Sequence, residues 1–481
     1  MAGIPIWPQR RSFSFAQSVS GFLTQPGLPF SKILTEERIR EVFAKHNGLF
    51  GRVYTTAIVL WAFMSQVLRD GKEAACQSAV SRISSYLQLT TGCGVDPDTR
   101  DYCRARDKLS ECALHELASS IAEECETEID ARHLFRGRHA KLIDGSTFQM
   151  ADTPANQLAY PQNPTQQLGI GFPIARFVAV ISLATSCVID AAIGKYAGKE
   201  TGETALLRQL LKCFQHGDIA VADRFYGNYW VIALLRQHGV DVCFRKHHKR
   251  ATDFRKGRRL GPNDHLIAWE RPACPEWMSR ELYESMPESL TLREIRYVIC
   301  QPGRQHQPFV LVTTLYNEGR QQQFRHEDIA ELFGFRWNAE LDLRSIKTHL
   351  NLNHLRCKTP EMVRREFWTT IIAYNAIRMA AACSAQLSGD VAPREISFVS
   401  TCQYVLAAWD VICSEQFDNA QMQQYCLQVM HQISKCRVGN RPGRFEPRVR
   451  KKRGSNYNLM KQPRNTLRGR LATGDNSFET K

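Results

Sequence analysis

Glu340 stands between two cations, with Arg336 four residues before it and Lys347 seven after it, in the stretch LFGFRWNAELDLRSIKTHL (Leu332–Leu350). On a continuous helix, at about 100° per residue, Arg336 falls at about −40° and Lys347 at about −20° from Glu340, with Phe333 at about +20°. The four positions then share one stripe. Phe335, Ala339, Leu343, Ile346 and Leu350 form the neighbouring apolar stripe, the pattern of a helix packed on a core. A carboxylate flanked by two cations at the edge of a packed face suits a site that holds a metal ion and phosphates together. The same spacing also suits plain charge pairing along a helix, so further carboxylates must decide between the two.

Two aspartates are candidates: Asp144 in LIDGS and Asp223 in VADRFYG, each read as the C-terminal end of a strand. Neighbouring strand ends converge in a sheet, so two aspartates there and a glutamate from a packing helix can form one cluster. Taken singly, each aspartate is an ordinary turn former; the three in this order make the case. Three carboxylates are hard oxygen ligands that suit Mg²⁺ or Mn²⁺ rather than zinc. Two such ions about 4 Å apart can activate an attacking oxygen and stabilise a leaving one in phosphodiester displacement.

The elements that would position these residues are legible. Residues 1–138 read as mostly helical, with helices over Thr35–Gly48, Tyr54–Arg69 and Glu73–Leu87. From His139 the pattern becomes strand-rich. HAKLIDGS reads as a short strand, and PIARFVAVISLA and CVIDAAIGKY form a hairpin about Thr185-Ser186. A helix over Thr201–Gln215 follows, capped by Thr201, then a strand over Asp218–Asp223, a helix around Asn228–His238 and a strand over Val240–Lys246. The expected class is α/β, a mixed sheet with helices on both faces in the order of a ribonuclease-H-like core. A β-rich insertion at about 247–316 interrupts the catalytic domain (139–382). Pro360–Ala382 is a long amphipathic helix, 383–436 continues helical, and 437–481 is a basic tail, expected to be extended without its partner.

The chain has 481 residues, net charge +15 and pI near 9.2, which points to a polyanionic partner. Arg437–Arg470 holds twelve Lys/Arg against Glu446 alone, and Arg245–Arg259 holds eight against Asp253. Both runs suit phosphate binding without sequence reading. Sixteen cysteines are scattered with no C-x2-C pair, as in reduced intracellular proteins. His349, His354 and Cys357 lack the partner pair of a zinc site. The start of the chain has no signal-peptide pattern, and AIVLWAFM (Ala57–Met64) is too short to span a bilayer. A soluble, cytoplasmic, nucleoid-associated protein with no membrane partner is expected.

The blocks LIDGST, AVADRFYGNYW and FRWNAELDLRSIKTHLNLNHLR together resemble the D-D-E motifs of bacterial insertion-sequence transposases, the last being similar to the Y-x2-R-x3-E-x6-K signature of the insertion sequence four family. The resemblance covers about Leu142 to Ala380, and RPGRFEPRVRKKR extends it loosely into the tail. It implies a cut-and-paste DNA transposase with Asp144, Asp223 and Glu340 as catalytic metal ligands for two Mg²⁺ or Mn²⁺ ions. Arg336 and Lys347 would contact phosphate, as would Arg224, Lys246, Lys249 and Arg250, and in the tail Arg450, Lys451, Lys452 and Arg453. The DNA would be element terminal repeats and target, hairpin ends would be formed on the way, the N-terminal helices would read the ends, and a homodimer would pair them. Phe333 stands where the signature has Tyr, so the ring remains and the hydroxyl is lost. An aromatic of the insertion, Trp269 or Trp277, is a candidate to stack on an extruded base. A nuclease or resolvase on the same fold, or a non-catalytic DNA-binding protein derived from a transposase, are the alternatives.

Overall fold

A computed structural model describes residues 35–247, 249–299, 307–316, 324–412, 419–439 and 462–473. Five helices come first: α1 (Glu36–Lys45), α2 (Thr56–Val67), α3 (Cys76–Thr91), α4 (Arg100–Arg106) and α5 (Glu111–Glu128). Thr35, Thr55 and Ser110 each start a helix by accepting a hydrogen bond from the backbone N–H three residues on. α2 carries no charged residue and is buried almost all round, as a helix enclosed on every side must be.

The sheet contains β1 (Ala140–Met150), β2 (Ile174–Ser182), β3 (Val188–Lys195), β4 (Ile219–Ala222), β5 (Asp241–Arg245), β6 (Arg258–Gly261), β7 (Asp264–Glu270), β8 (Ser289–Ile299), β9 (Gln307–Thr313) and β10 (His354–Leu355). Its order is β3-β2-β1-β4-β5-β9-β8-β7-β6, with β10 paired to β1. β2 runs antiparallel to β1 and β3, whereas β1, β4 and β5 are parallel. That order and direction are those of a ribonuclease-H-like core. The strand-rich segment after β5 is not a separate sheet: β9 pairs antiparallel with β5 and carries β8, β7 and β6 outward from the core edge.

Between the strands lie α6 (Pro154–Ala159), α7 (Glu203–Gln209), α8 (Tyr229–Gln237) and α9 (Arg280–Ser285). After them come α10 (His326–Gly334), α11 (Trp337–Arg344), α12 (Pro360–Ser388), α13 (Phe398–Ile412), α14 (Asn419–Lys435) and α15 (Arg464–Ala472). The alternation of β1 divides the interior into two cores. Leu142 and Phe148 face the side packed by α5, α11 and α12, while Ile143 faces the side packed by α7 and α8. The first core runs without a break into the N-terminal helices. Asn375, fully buried on α12, fastens this seam: its amide donates to the carbonyls of Ala118 (3.0 Å) and Val188 (2.9 Å) and accepts from Val188 N–H (2.8 Å). With its donors and acceptor occupied, its burial carries no desolvation penalty.

Four sequence expectations change. β1 does not stop at an acidic turn but runs through Asp144 to Met150. α7 is shorter than Thr201–Gln215 and has Gly202, not Thr201, at its cap. The basic tail is helical over Arg464–Ala472, where Arg464 donates to the carbonyl of Ile170 (3.0 Å) and pairs with Asp152 (3.1 Å). Leu332–Leu350 is not one helix. α10 ends at Gly334, and the N–H groups of Phe335, Arg336, Asn338 and Ala339 reach carbonyls three residues back, a tight turn. Glycine is a weak helix former, and here it precedes that turn. A second irregularity, a π turn, follows at Ser345–His349.

A candidate active site at a gap in the sheet

β1 and β4 pair in register from Ala140↔Ile219 to Ile143↔Ala222. β4 then ends, so the next residues of the two parallel chains are Asp144 and Asp223. On that side β1 has no strand neighbour until β10 pairs with Gln149 and Met150. Asp144 through Phe148 therefore border a gap within the sheet, closed by β4 at one end and β10 at the other. The geometry differs from the expected pair of strand ends. One aspartate lies in mid-strand and is exposed sideways because its neighbour strand is short. The other opens the turn after that strand, where its Oδ1 accepts from Phe225 N–H (2.8 Å).

α11 crosses this gap on the face to which Leu142 and Val221 point. Ala339 and Leu343 are buried there, which leaves Glu340 at the opening. Asp223, Arg224, Phe225, Arg245, Phe309, Phe333, Arg336 and Glu340 line a cavity of about 370 Å³. Arg336 donates to Glu340 at 2.9 Å. Lys347, carried aside by the π turn, is not in that lining; it donates to Ser146 Oγ on β1 at 2.8 Å. The expected stripe of four is thus divided: Phe333, Arg336 and Glu340 share the cavity, and Lys347 stands beside β1.

The electrostatics are under-compensated. Burial pushes the Asp144 carboxyl up to about 7, and Glu340 and Asp223 push in the same direction, against Gly145 N–H and Arg336. Arg245 is held below the usual guanidinium range by burial, then by Arg224 and Arg336. Lys347 is lowered by burial alone. Three crowded guanidiniums and a half-buried ammonium bonded to a neutral hydroxyl would all gain from a bound anion. Asp144, raised by burial with Glu340 and Asp223 adding to it, would gain from a bound cation. Among the described residues no three His, Cys, Asp or Glu side chains already converge at metal-ligand distance. The Arg336 guanidinium occupies Glu340 where a cation would stand, and the all-oxygen donor set fits a hard divalent ion.

Several expected site residues fall elsewhere. Lys246 is no phosphate ligand: its Nζ is buried, donating to Glu294 (2.7 Å), Ala251 O (2.8 Å) and Thr252 Oγ1 (2.6 Å). The side chain just past the end of β5 points inward, and its charge is matched by a buried carboxylate. Trp269 is buried too, donating from Nε1 to Glu294 (2.9 Å), so it cannot stack on a base. Arg250 covers its ring at 3.9 Å, and Arg208 covers Trp277 at 3.9 Å. Lys249, Arg250 and Arg224 are exposed. Arg450, Lys451, Lys452 and Arg453 lie outside the described residues.

The sequence reading took Arg245 only as the first residue of a basic run, and it missed Ser146, Glu203 and Tyr226. Glu203, in the first turn of α7, lies so close to β1 that a Cβ on Gly145 would stand 2.6 Å from its Cδ. Only glycine at 145 leaves room for that carboxyl. Gly227 has a similar role in the turn after Asp223, where a Cβ would meet the carbonyl oxygen of Arg245 at 2.5 Å. The signal for Glu203 was topological: α7 begins just after β3, at the end of the sheet to which β1 runs.

The family model described as the transposase DDE domain matches residues 136–376. Transposase InsG for insertion sequence element IS4 of Escherichia coli (strain K12) is 24% identical over 310 residues, which cover 63% of this chain and 65% of that protein. Among solved structures, the cryo-EM structure of the piggyBac transposase synaptic complex with hairpin DNA superposes with a TM-score of 0.42 at 11% identity, covering 90% of this chain and 87% of that one. No helix of the described residues is long and apolar enough to cross a membrane.

Proposed function

The chain belongs to the DDE transposase family, of the insertion sequence four type that its motifs resemble, and from that premise we propose that it is a DNA transposase that cleaves the ends of an insertion element and joins them to target DNA. The observation that carries the reading is the pair Asp144 and Asp223, next to one another in register beside the gap in the sheet, with Glu340 brought to the same opening by α11.

Asp144, Asp223 and Glu340 would hold one or two Mg²⁺ or Mn²⁺ ions. Such ions, when bound, supply charge neutralisation and lower the pKa of a bound water. The chain's own cations do the rest. Arg224, Arg245 and Arg336 surround the cavity, and a DNA phosphate placed between them would relieve their mutual repulsion. Lys347 holds a second backbone position through the gap beside Ser146. Because Arg336 is paired with Glu340, it must release that carboxylate before both groups can act on DNA. Lys249 and Arg250 extend the basic track outward, and the tail with Arg450, Lys451, Lys452 and Arg453 adds affinity without sequence reading. The N-terminal helices would read the terminal repeats, and two copies would pair the two ends. The reaction would proceed through hairpin ends, in the cytoplasm at the nucleoid.

The test is incubation of the purified protein with the flanking element ends and Mg²⁺. Nicks with a free 3′-OH, hairpins and joined products are expected. Nicks without joined products would instead identify a nuclease, and end binding without any cleavage a DNA-binding protein. Wild-type cleavage by Asp144→Asn would overturn the site assignment.

A further inference from the structure

Glu203 and Tyr226 lie beside the gap but have no part in the reading above. α7 and α8 pack on the face of the sheet opposite α11, so Glu203 approaches β1 from the side away from Glu340. Its carboxyl fills the place where a side chain at Gly145 would begin. It is half-buried, its nearest acidic neighbour is Asp223, and Arg176 is the cation that faces it. Tyr226 is fully buried. Its hydroxyl faces Glu203 within reach of a hydrogen bond, with Asp144 and Asp223 next nearest, yet the bond lacks full hydrogen-bond geometry. A buried hydroxyl without a well-aligned partner, aimed into a group of carboxylates, carries a desolvation cost unless something orders the group around it.

Resting on the proposed metal-dependent reading, we propose that Glu203 is a fourth carboxylate of the cation site, reaching it through the gap from the face opposite Glu340, with the Tyr226 hydroxyl as the donor that orients it. Gly145 is then the residue that opens the passage: any side chain there closes it. Three carboxylates alone leave one flank of the gap without a ligand, and Glu203 supplies that flank. Tyr226 is a positioning residue, acting on the carboxylate and not on DNA.

Mn²⁺ binding to the full chain without DNA, followed by electron paramagnetic resonance of the free ion, tests this apart from activity. Glu203→Gln is expected to weaken Mn²⁺ binding about tenfold and Tyr226→Phe about threefold, on the order of one charge-assisted and one neutral interaction. Gly145→Ala is expected to match Glu203→Gln, and the double variant Gly145→Ala/Glu203→Gln to be no weaker than either single one, because both remove the same ligand. Should Glu203→Gln not fold, Glu203→Asp replaces it and is expected to bind Mn²⁺ with intermediate affinity. Wild-type affinity in the Glu203 variant, or additive losses in the double one, would overturn the inference. Wild-type affinity in Asp223→Asn would instead overturn the metal reading on which it rests.

Discussion

Glu340 and Asp342 are two residues apart on α11 and meet opposite fates. A rotation of about 200° separates them. Asp342 points into the core, where it is 1% exposed and accepts from Arg378 (3.0 Å), Arg394 (2.8 Å) and the Tyr374 hydroxyl (3.1 Å). Its acceptors are taken by groups that cannot leave. Glu340 points to the gap and, among the described residues, pairs with Arg336 at a cavity open to solvent. Around the gap, Asp144 and Glu203 are raised by burial first, and the neighbouring carboxylates add to the rise rather than satisfy them. Saturated carboxylates hold a fold together. Carboxylates left with unmet demand are those a ligand can use, and the demand is what the ligand is bound by.

The largest contrast is expected in cleavage. Asp223→Asn and Glu340→Gln should each lower element-end cleavage by about three orders of magnitude, the several kcal/mol that charge stabilisation by a metal supplies. Thermal unfolding and end binding should be nearly unchanged. A parallel loss of stability would mean that the gap carboxylates are structural after all.

The mirror experiment is Asp342→Ala. It leaves Arg378 and Arg394 facing a vacated partner, so a loss of about 3–5 kcal/mol in denaturant unfolding is expected. Lys246→Ala, which strands the buried Glu294, belongs to the same class. A stability change below about 1 kcal/mol in both would erase the distinction drawn between the two kinds of carboxylate.

Metal-free stability should also depend on pH through Asp144. Its carboxyl stands raised to about 7 in the native state against an ordinary 3.8. Between those values the native chain holds a proton that the unfolded chain has lost, so stability falls as pH rises through that window and levels off above it. Asp144→Asn should flatten this fall, read from melting temperatures at acid and neutral pH. Mg²⁺ should raise the neutral value in the wild type and not in the variant. An unchanged slope in Asp144→Asn would place the titration elsewhere.

Smaller effects concern the rim. Phe333 packs on Phe309 (ring centroids 5.6 Å apart) with Arg336 over its ring, so Phe333→Tyr adds a hydroxyl at the cavity without unpacking the ring. Hairpin yield should hold or rise by a few-fold; a clear drop would mean that the ring edge has no room for the hydroxyl. Lys249→Ala, at an exposed position, should weaken DNA binding uniformly and reduce the slope of log affinity on log salt by about 1. Lys246→Ala should leave that slope unchanged if it folds, since its charge is already spent on Glu294.

Much of the fold was legible. The β-branched-rich runs PIARFVAVISLA and CVIDAAIGKY, separated by Thr185-Ser186, mark a hairpin from local sequence alone; Ser186 takes the positive φ its turn needs. The helix starts at Thr35 and Asn228 are set locally too, each by its own side-chain cap. Other features were not legible because they are set at a distance. Asp144 reads as a strand end when only its own segment is seen, since DGS is turn-like; β2 holds that segment extended to Met150. The break at Gly334–Arg336 was hidden by a hydrophobic period that continues across it. Lys246 sat in a run of cations and was read with them, although the distant Glu294 holds it inward.

By itself the sequence determined which residues carry charge, their order along the chain and the periods that turn them into strands and helices, because those follow from covalent geometry and local burial. Only the tertiary structure decided which charges were spent. Asp342 and Lys246 lose theirs to partners dozens of residues away. Asp144, Asp223 and Glu340 instead border the gap that β4 leaves by ending early. Charge compensation depends on distances between segments, and those are settled by packing.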